Sequence, residues 1–161
     1  MKSTSLSSEK KLTISKTTKI LNKIMLDSKQ HTGWGFTTDP FNKIIRQDIG
    51  IEEYLTNIFS QTQCSVDTVI LILIFIDKIC KRKNLLINEN NVLGLIMITA
   101  FVIVRYYENK SFTPENYETI FKASLKDILR LEIEFMKTID FELKISKESY
   151  EKYRLYISYL R

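Results

Sequence analysis

Only four glycines and two prolines interrupt the 161 residues of this chain. That scarcity limits what it can become, because Gly and Pro are the commonest devices for tight turns and breaks. A many-stranded sheet needs such devices at short intervals, and this chain lacks them. Its long uninterrupted stretches favour helices. Two of these stretches are almost wholly apolar: residues 69–76 read VILILIFI, and residues 90–104 carry no charge. Both fall short of the ~18–20 apolar residues that span a bilayer. They read as helices of a globular core, covered on nearly all sides.

Around these two stretches the periodicity is helical throughout. Ile20, Leu21, Ile24 and Met25 predict a short amphipathic helix over 17–29. Residues 31–40 hold Gly33, Gly35 and Pro40 and read as a loop, with Trp34 and Phe36 as aromatic plugs on the core surface. Further helices are predicted over 50–60, over 66–83 with Ser65 as N-cap, and over 89–108 opened by Asn88. Thr113-Pro114-Glu115 starts another, with a cap, a proline where no amide is needed and an acid in the first turn. Ser124 with Asp127 three residues on opens the next, to about Thr138. A last helix over 147–160, capped by Ser146, carries a stripe of Tyr150, Tyr153, Tyr156, Ile157 and Leu160 suited to core or partner packing. No period-two strand pattern and no repeat of fixed period is visible.

Charge is unevenly spread. Residues 1–30 hold seven lysines against two acids, which accounts for the whole net charge of +5, while residues 31–161 balance. The basic excess therefore belongs to a terminal segment and does not mark a nucleic-acid groove in the folded part. Residues 1–16, rich in Ser, Thr and Lys, are expected to lack fixed structure. Cys64 and Cys80 have neither disulfide-framework nor metal-ligand spacing, so a reducing intracellular setting, cytoplasmic or nuclear, is expected. The N-terminus lacks the apolar run of a secretory signal, and its lack of Arg weakens an organelle-targeting reading.

Catalytic parts are missing from the pattern. The single histidine, His31, sits in the glycine-containing loop without a cysteine or carboxylate constellation. There is no Gly-rich phosphate loop and no nucleophile elbow. The chain reads as an all-α interaction module, not an enzyme, with no cofactor and no metal.

The order of the helices carries a resemblance. Ile51-Glu-Glu-Tyr54-Leu55-Thr-Asn57-Ile58, then Cys64-Ser65, then Ile72 through Ile79 with Asp77, resemble the opening of a cyclin box, most like the single-box P-type (phosphate-pathway type) cyclins. Leu86 through Val92 is similar to the link into the third box helix. Residues Ile98–Glu108 are similar to that helix's end, and Leu129 through Glu132 with Ile139 through Leu143 to the fifth helix and its exit. The resemblance covers about 49–153. It implies an all-α cyclin-box five-helix bundle over 49–145, preceded by a helix and loop over 17–48 and followed by a helix over 146–161.

It also implies a regulatory subunit that binds and activates a cyclin-dependent protein kinase. Cyclins are similar in using a cation at the end of the third helix and a Glu in the fifth, which by position are Arg105 and Glu132. Lys78, Tyr106, Glu108 and Phe135 are the neighbouring candidates for kinase contact. Three departures stand out. Arg105 replaces the family's Lys; Asn57 stands where an Arg would pair with Asp77; and Gly94 occupies a place where P-type members often carry Arg. Asp77 is then expected to rely on Asn57 or on Lys81 at i+4. These losses motivate an alternative, a divergent cyclin-box scaffold that joins proteins without activating a kinase. Nucleic acid and membrane are not expected partners.

Overall fold

The computed structural model describes residues 5–29 and 39–160. Within them the chain forms seven helices and no strand: α1 Ser8–Ser28, α2 Ile51–Thr62, α3 Val66–Lys83, α4 Val92–Tyr106, α5 Pro114–Phe121, α6 Leu125–Thr138 and α7 Lys147–Tyr159. The five predicted box helices are α2 to α6, flanked by α1 and α7. His31, Trp34 and Phe36 lie outside the described residues.

The two apolar stretches become α3 and α4, and they pack against each other at the centre. Every residue from Thr68 to Ile76 is buried, as is every residue from Leu95 to Val104. α1, α6 and α7 cover α3, while α2 and α6 cover α4, and α5 closes the end between α2 and α6. An aromatic cluster of Phe101, Tyr117, Phe121 and Phe112 fills that end at ring separations of 5.2–6.4 Å. The Tyr54 hydroxyl donates to the Phe121 carbonyl beneath it, which satisfies a fully buried phenol.

α1 corrects the first expectation. Residues 8–16 are helical, so the segment without fixed structure does not extend to residue 16. Ser7 accepts from the Lys10 amide at 3.2 Å and starts the helix. Ile14, Thr17 and Leu21, spaced at three and four, are buried against the bundle. The local sequence is sparse in apolar groups, and burial on α3 and α2 stabilises the helix where composition alone does not.

The α4 start also differs. Residues 88–91 form a turn in which the Asn88 carboxamide accepts from the Asn90 and Asn91 amides, and the Asn91 carboxamide accepts from Asn88 N–H. The helix proper begins at Val92. Over it runs the backbone of residues 39–43. Asp39 accepts from Asn91 Nδ2 at 2.7 Å, Lys43 N–H donates to the Asn90 carbonyl at 2.7 Å, and Phe41 is fully buried. A Cβ on Gly94 would stand 2.4 Å from the Phe41 carbonyl oxygen. This close approach explains why Gly94 carries no side chain, and why an Arg has no room there.

Candidate functional site

The α4 C-terminus and the middle of α6 meet at one edge of the bundle. α4 places Arg105 one turn beyond Phe101, and the guanidinium lies 5.4 Å from the Phe101 ring centroid and 5.5 Å from that of Tyr106. Such stacking suits a planar cation and holds its long side chain in one place. From there Nη1 donates to Glu132 Oε2 at 2.9 Å. The Glu132 side chain is 16 % exposed and that of Arg105 is 38 % exposed. The pair is thus partly dry, with the cation facing outward. Its remaining N–H groups meet no acceptor among the described residues, and they are directed by the Phe101 and Tyr106 rings.

α6 is amphipathic in a way that the local pattern only half reveals. Ile128, Leu131 and Phe135 face the core. Glu132 borders that stripe, and beyond it Leu129 and Ile133, one turn apart, are exposed to solvent beside half-buried Met136. Apolar groups flanking a partly dry ion pair give an interface both area and register. Leu129 and Ile133 are not among the contact residues expected from the sequence. Their signal was present, since α6 has more apolar positions than one buried face can use.

The exit of α6 adds another exposed aromatic. Asp140 and Phe141 both take left-handed backbone conformations, with φ of 54° and 58°. Phe141 is 68 % exposed. Arg82 donates to the Thr138 carbonyl at 3.1 Å and to Asp140 Oδ2 at 3.2 Å, and Lys78 Nζ lies 3.4 Å from the Glu142 carbonyl. Lys83 pairs with Glu134, and the Tyr107 hydroxyl donates to the Leu143 carbonyl. Cations at the end of α3 thus tie down a turn whose conformation costs about 1–2 kcal/mol per non-glycine residue.

The candidates named from the sequence fall into three groups. Arg105, Glu132 and Tyr106 are brought together, and Lys78 stands at the nearby α6 exit. Phe135 is corrected: it is fully buried against the Phe75 ring, with centroids 5.8 Å apart, and presents nothing to a partner. Glu108 serves the fold. Its Oε1 accepts from Ser65 N–H at 3.0 Å, Ser65 Oγ at 2.8 Å and Thr68 Oγ1 at 2.6 Å. It caps α3 in place of the Ser65 side chain, which makes no capping bond of its own. Burial alone would raise the Glu108 pKa, but the bonds from Thr68 and Ser65 outweigh it and hold the carboxyl below its ordinary value.

Asp77 also finds its partners elsewhere than expected. Lys81 Nζ stands 2.9 Å from Oδ2, as the i+4 spacing predicted, but Asn57 does not share the carboxylate. The second partner is the Tyr153 hydroxyl on α7, at 2.6 Å. Burial, and then the bond to Asp77, push that phenol well above its usual pKa. Asp77 itself is half exposed rather than buried. Tyr150, one turn earlier on α7, donates to Asp67, and burial with that bond lifts its pKa to about 12. The tyrosine stripe was legible as a packing face; that the Tyr153 hydroxyl takes the place of an arginine at Asp77 was not, because the two lie 76 residues apart.

Comparison with known proteins now adds to this geometry. The family model described as Cyclin matches residues 3–143. The chain belongs to the cyclin family. Membership accounts for the helical bundle. This cyclin is 29 % identical over 114 residues to Cyclin-U4-3 of Arabidopsis thaliana, an overlap of 70 % of the chain and 52 % of the relative. It is 24 % identical over 127 residues to Cyclin-U1-1 of the same plant, covering 78 % and 60 %. With Cyclin-P3-1 of Oryza sativa subsp. japonica it shares 24 % over 108 residues, covering 67 % and 46 %. It thus spans about half the length of the curated relatives it matches. No helix among the described residues of this cyclin is long and apolar enough to cross a membrane.

Proposed function

We propose that this cyclin binds a kinase of the cyclin-dependent family and holds it in its active conformation, inside the cell. The observation that carries the reading is the Arg105–Glu132 pair, 2.9 Å apart on two helices and beside the exposed side chains of Tyr106, Leu129 and Ile133. A guanidinium already paired on one edge has donors left for a partner's main chain, and charge-assisted bonds of this kind orient a docked surface. The flanking apolar groups supply the area that a stable contact needs. Phe141 and Lys78, at the α6 exit, extend the same surface. Holding the kinase's movable helix inward lets its own Lys–Glu pair form around ATP. Activation then equals the difference in this cyclin's affinity for the active and inactive kinase.

The scaffold alternative drew on the missing arginine partner of Asp77. Tyr153 and Lys81 now meet that carboxylate, so this departure no longer argues for a degraded box.

The test uses the double exchange Arg105→Glu with Glu132→Arg. Opposite charges still face each other, so the fold and melting temperature are expected to stay near those of the parent. The charges offered to the partner are reversed, and co-purification of the kinase from the native source, with its phosphotransfer, is expected to disappear. Kinase binding that survives the exchange would overturn the site. Binding without any gain in phosphotransfer by the parent protein would favour the scaffold.

A further inference from the structure

α1 turns one face to the core and leaves most of the other exposed, with Lys16 half-buried beside α7. Ile14, Thr17, Ile20 and Leu21 are buried. On the opposite side stand Leu12, Lys16, Lys19, Lys23 and Leu26, spaced four, three, four and three. That spacing keeps five side chains in one line along about 21 Å of helix. Leu12 is 56 % and Leu26 is 62 % exposed. Lys19 and Lys23 are exposed and meet no acceptor among the described residues, while Lys16 Nζ only reaches the Ser158 carbonyl, at 3.5 Å. Within this line the positive charge lies between the two leucines, and Lys10 and Lys11 stand before Leu12 off the line.

We propose that this face of α1 docks a helical acidic segment of a partner protein, one that presents carboxylates at its centre and apolar side chains at its ends. Spacing of four and three lines side chains up along one helix edge, where apolar groups pack against a partner helix and facing charges set partner choice. A second copy of this chain is excluded as the occupant. The strip reads the same in both directions, so two copies would set lysine against lysine in either orientation. A bilayer would require an apolar face turned outward, and the apolar face of α1 is already committed to α2 and α3. A duplex would use arginines and a broader field. Here there are three cations in single file, no arginine in α1, and two leucines with no role against phosphate.

The strip is separate from the α4–α6 edge, and its test does not involve the kinase. The full chain is titrated with a labelled helical peptide that carries Leu-Glu-Glu-Glu-Leu at the same four-three spacing. Binding is expected at low salt and is expected to weaken as salt rises. The Lys19→Glu/Lys23→Glu variant changes only exposed residues. It is expected to keep its helical spectrum, to lose about tenfold or more in affinity for this peptide, and to gain affinity for the peptide with lysines in place of glutamates. Absence of binding by the parent, or affinity untouched by the reversal, would overturn the proposal. So would binding of a duplex DNA or of phosphatidylserine vesicles as tight as that of the acidic peptide.

Discussion

Glu108 and Thr99 show opposite fates of a polar group inside a helical bundle. Glu108 gathers three donors at the start of α3, and its carboxyl titrates below the ordinary value. A carboxylate with a depressed folded pKa contributes stability that is present above its unfolded pKa of about 4.3 and is lost as pH falls through the folded value. Glu108→Gln keeps an acceptor but removes the charge. It is expected to cost about 1 kcal/mol at pH 7, allowing for partial exposure, and less at a pH low enough to protonate the folded carboxyl. Urea unfolding at the two pH values checks this, and a gap that stays constant with pH would refute it. Thr99, on α4, is fully buried and its hydroxyl has no partner among the described residues. Thr99→Val keeps the shape and removes an unsatisfied group, so a gain of about 1 kcal/mol is expected in the same assay. A loss of similar size would mean that the hydroxyl has a partner after all.

The helices repay the shortage of glycine in another way. α2, α3 and α5 all end on left-handed residues that are not glycine: Gln63, Asn84 and Lys122, with φ of 53–54°. Reading few glycines as few sharp turns was therefore right about the long helices and blind to how they stop. At Lys122 the amide closes α5 onto the Glu118 carbonyl at 2.9 Å, a geometry that glycine adopts without strain. Lys122→Gly is expected to stabilise the protein by roughly 0.5 kcal/mol, the relief of strain being partly offset by extra freedom in the unfolded chain. A thermal melt at higher temperature than the parent's is the expected result, and a lower one would contradict it. The starts of α5, α6 and α7 were legible because Thr113, Ser124 and Ser146 cap by local bonds three residues long. The cap of α3 was hidden because its acceptor, Glu108, arrives from 43 residues away. The candidate site divides along the same line. Position along the family pattern gave Arg105 and Glu132, whereas the burial of Phe135 and the exposure of Ile133 depend on how α6 rotates against Phe75 and the rest of the core.

Across the whole molecule, burial is concentrated at the centre and falls away toward the flanks. α3 and α4 are buried along almost their full length, whereas α7 contributes one fully buried residue, Ile157, and is held by half-buried tyrosines and their bonds to Asp67 and Asp77. Local opening follows the amount of apolar surface an element loses to water when it detaches. α7 is therefore expected to open separately, below the global unfolding free energy, while α3 and α4 exchange their amides only on complete unfolding. Tyr153→Phe sharpens the test. It leaves the ring in place and removes one hydrogen bond to a charged acceptor, a change of about 1.5–3 kcal/mol before screening at the half-exposed carboxylate reduces it. In native-state hydrogen exchange the variant should speed the α7 amides several-fold and leave those of α4 unchanged if opening of α7 is independent. Equal acceleration in both helices would mean instead that α7 and the central pair unfold as one unit, and that the tyrosine clasp is part of the core rather than an addition to it.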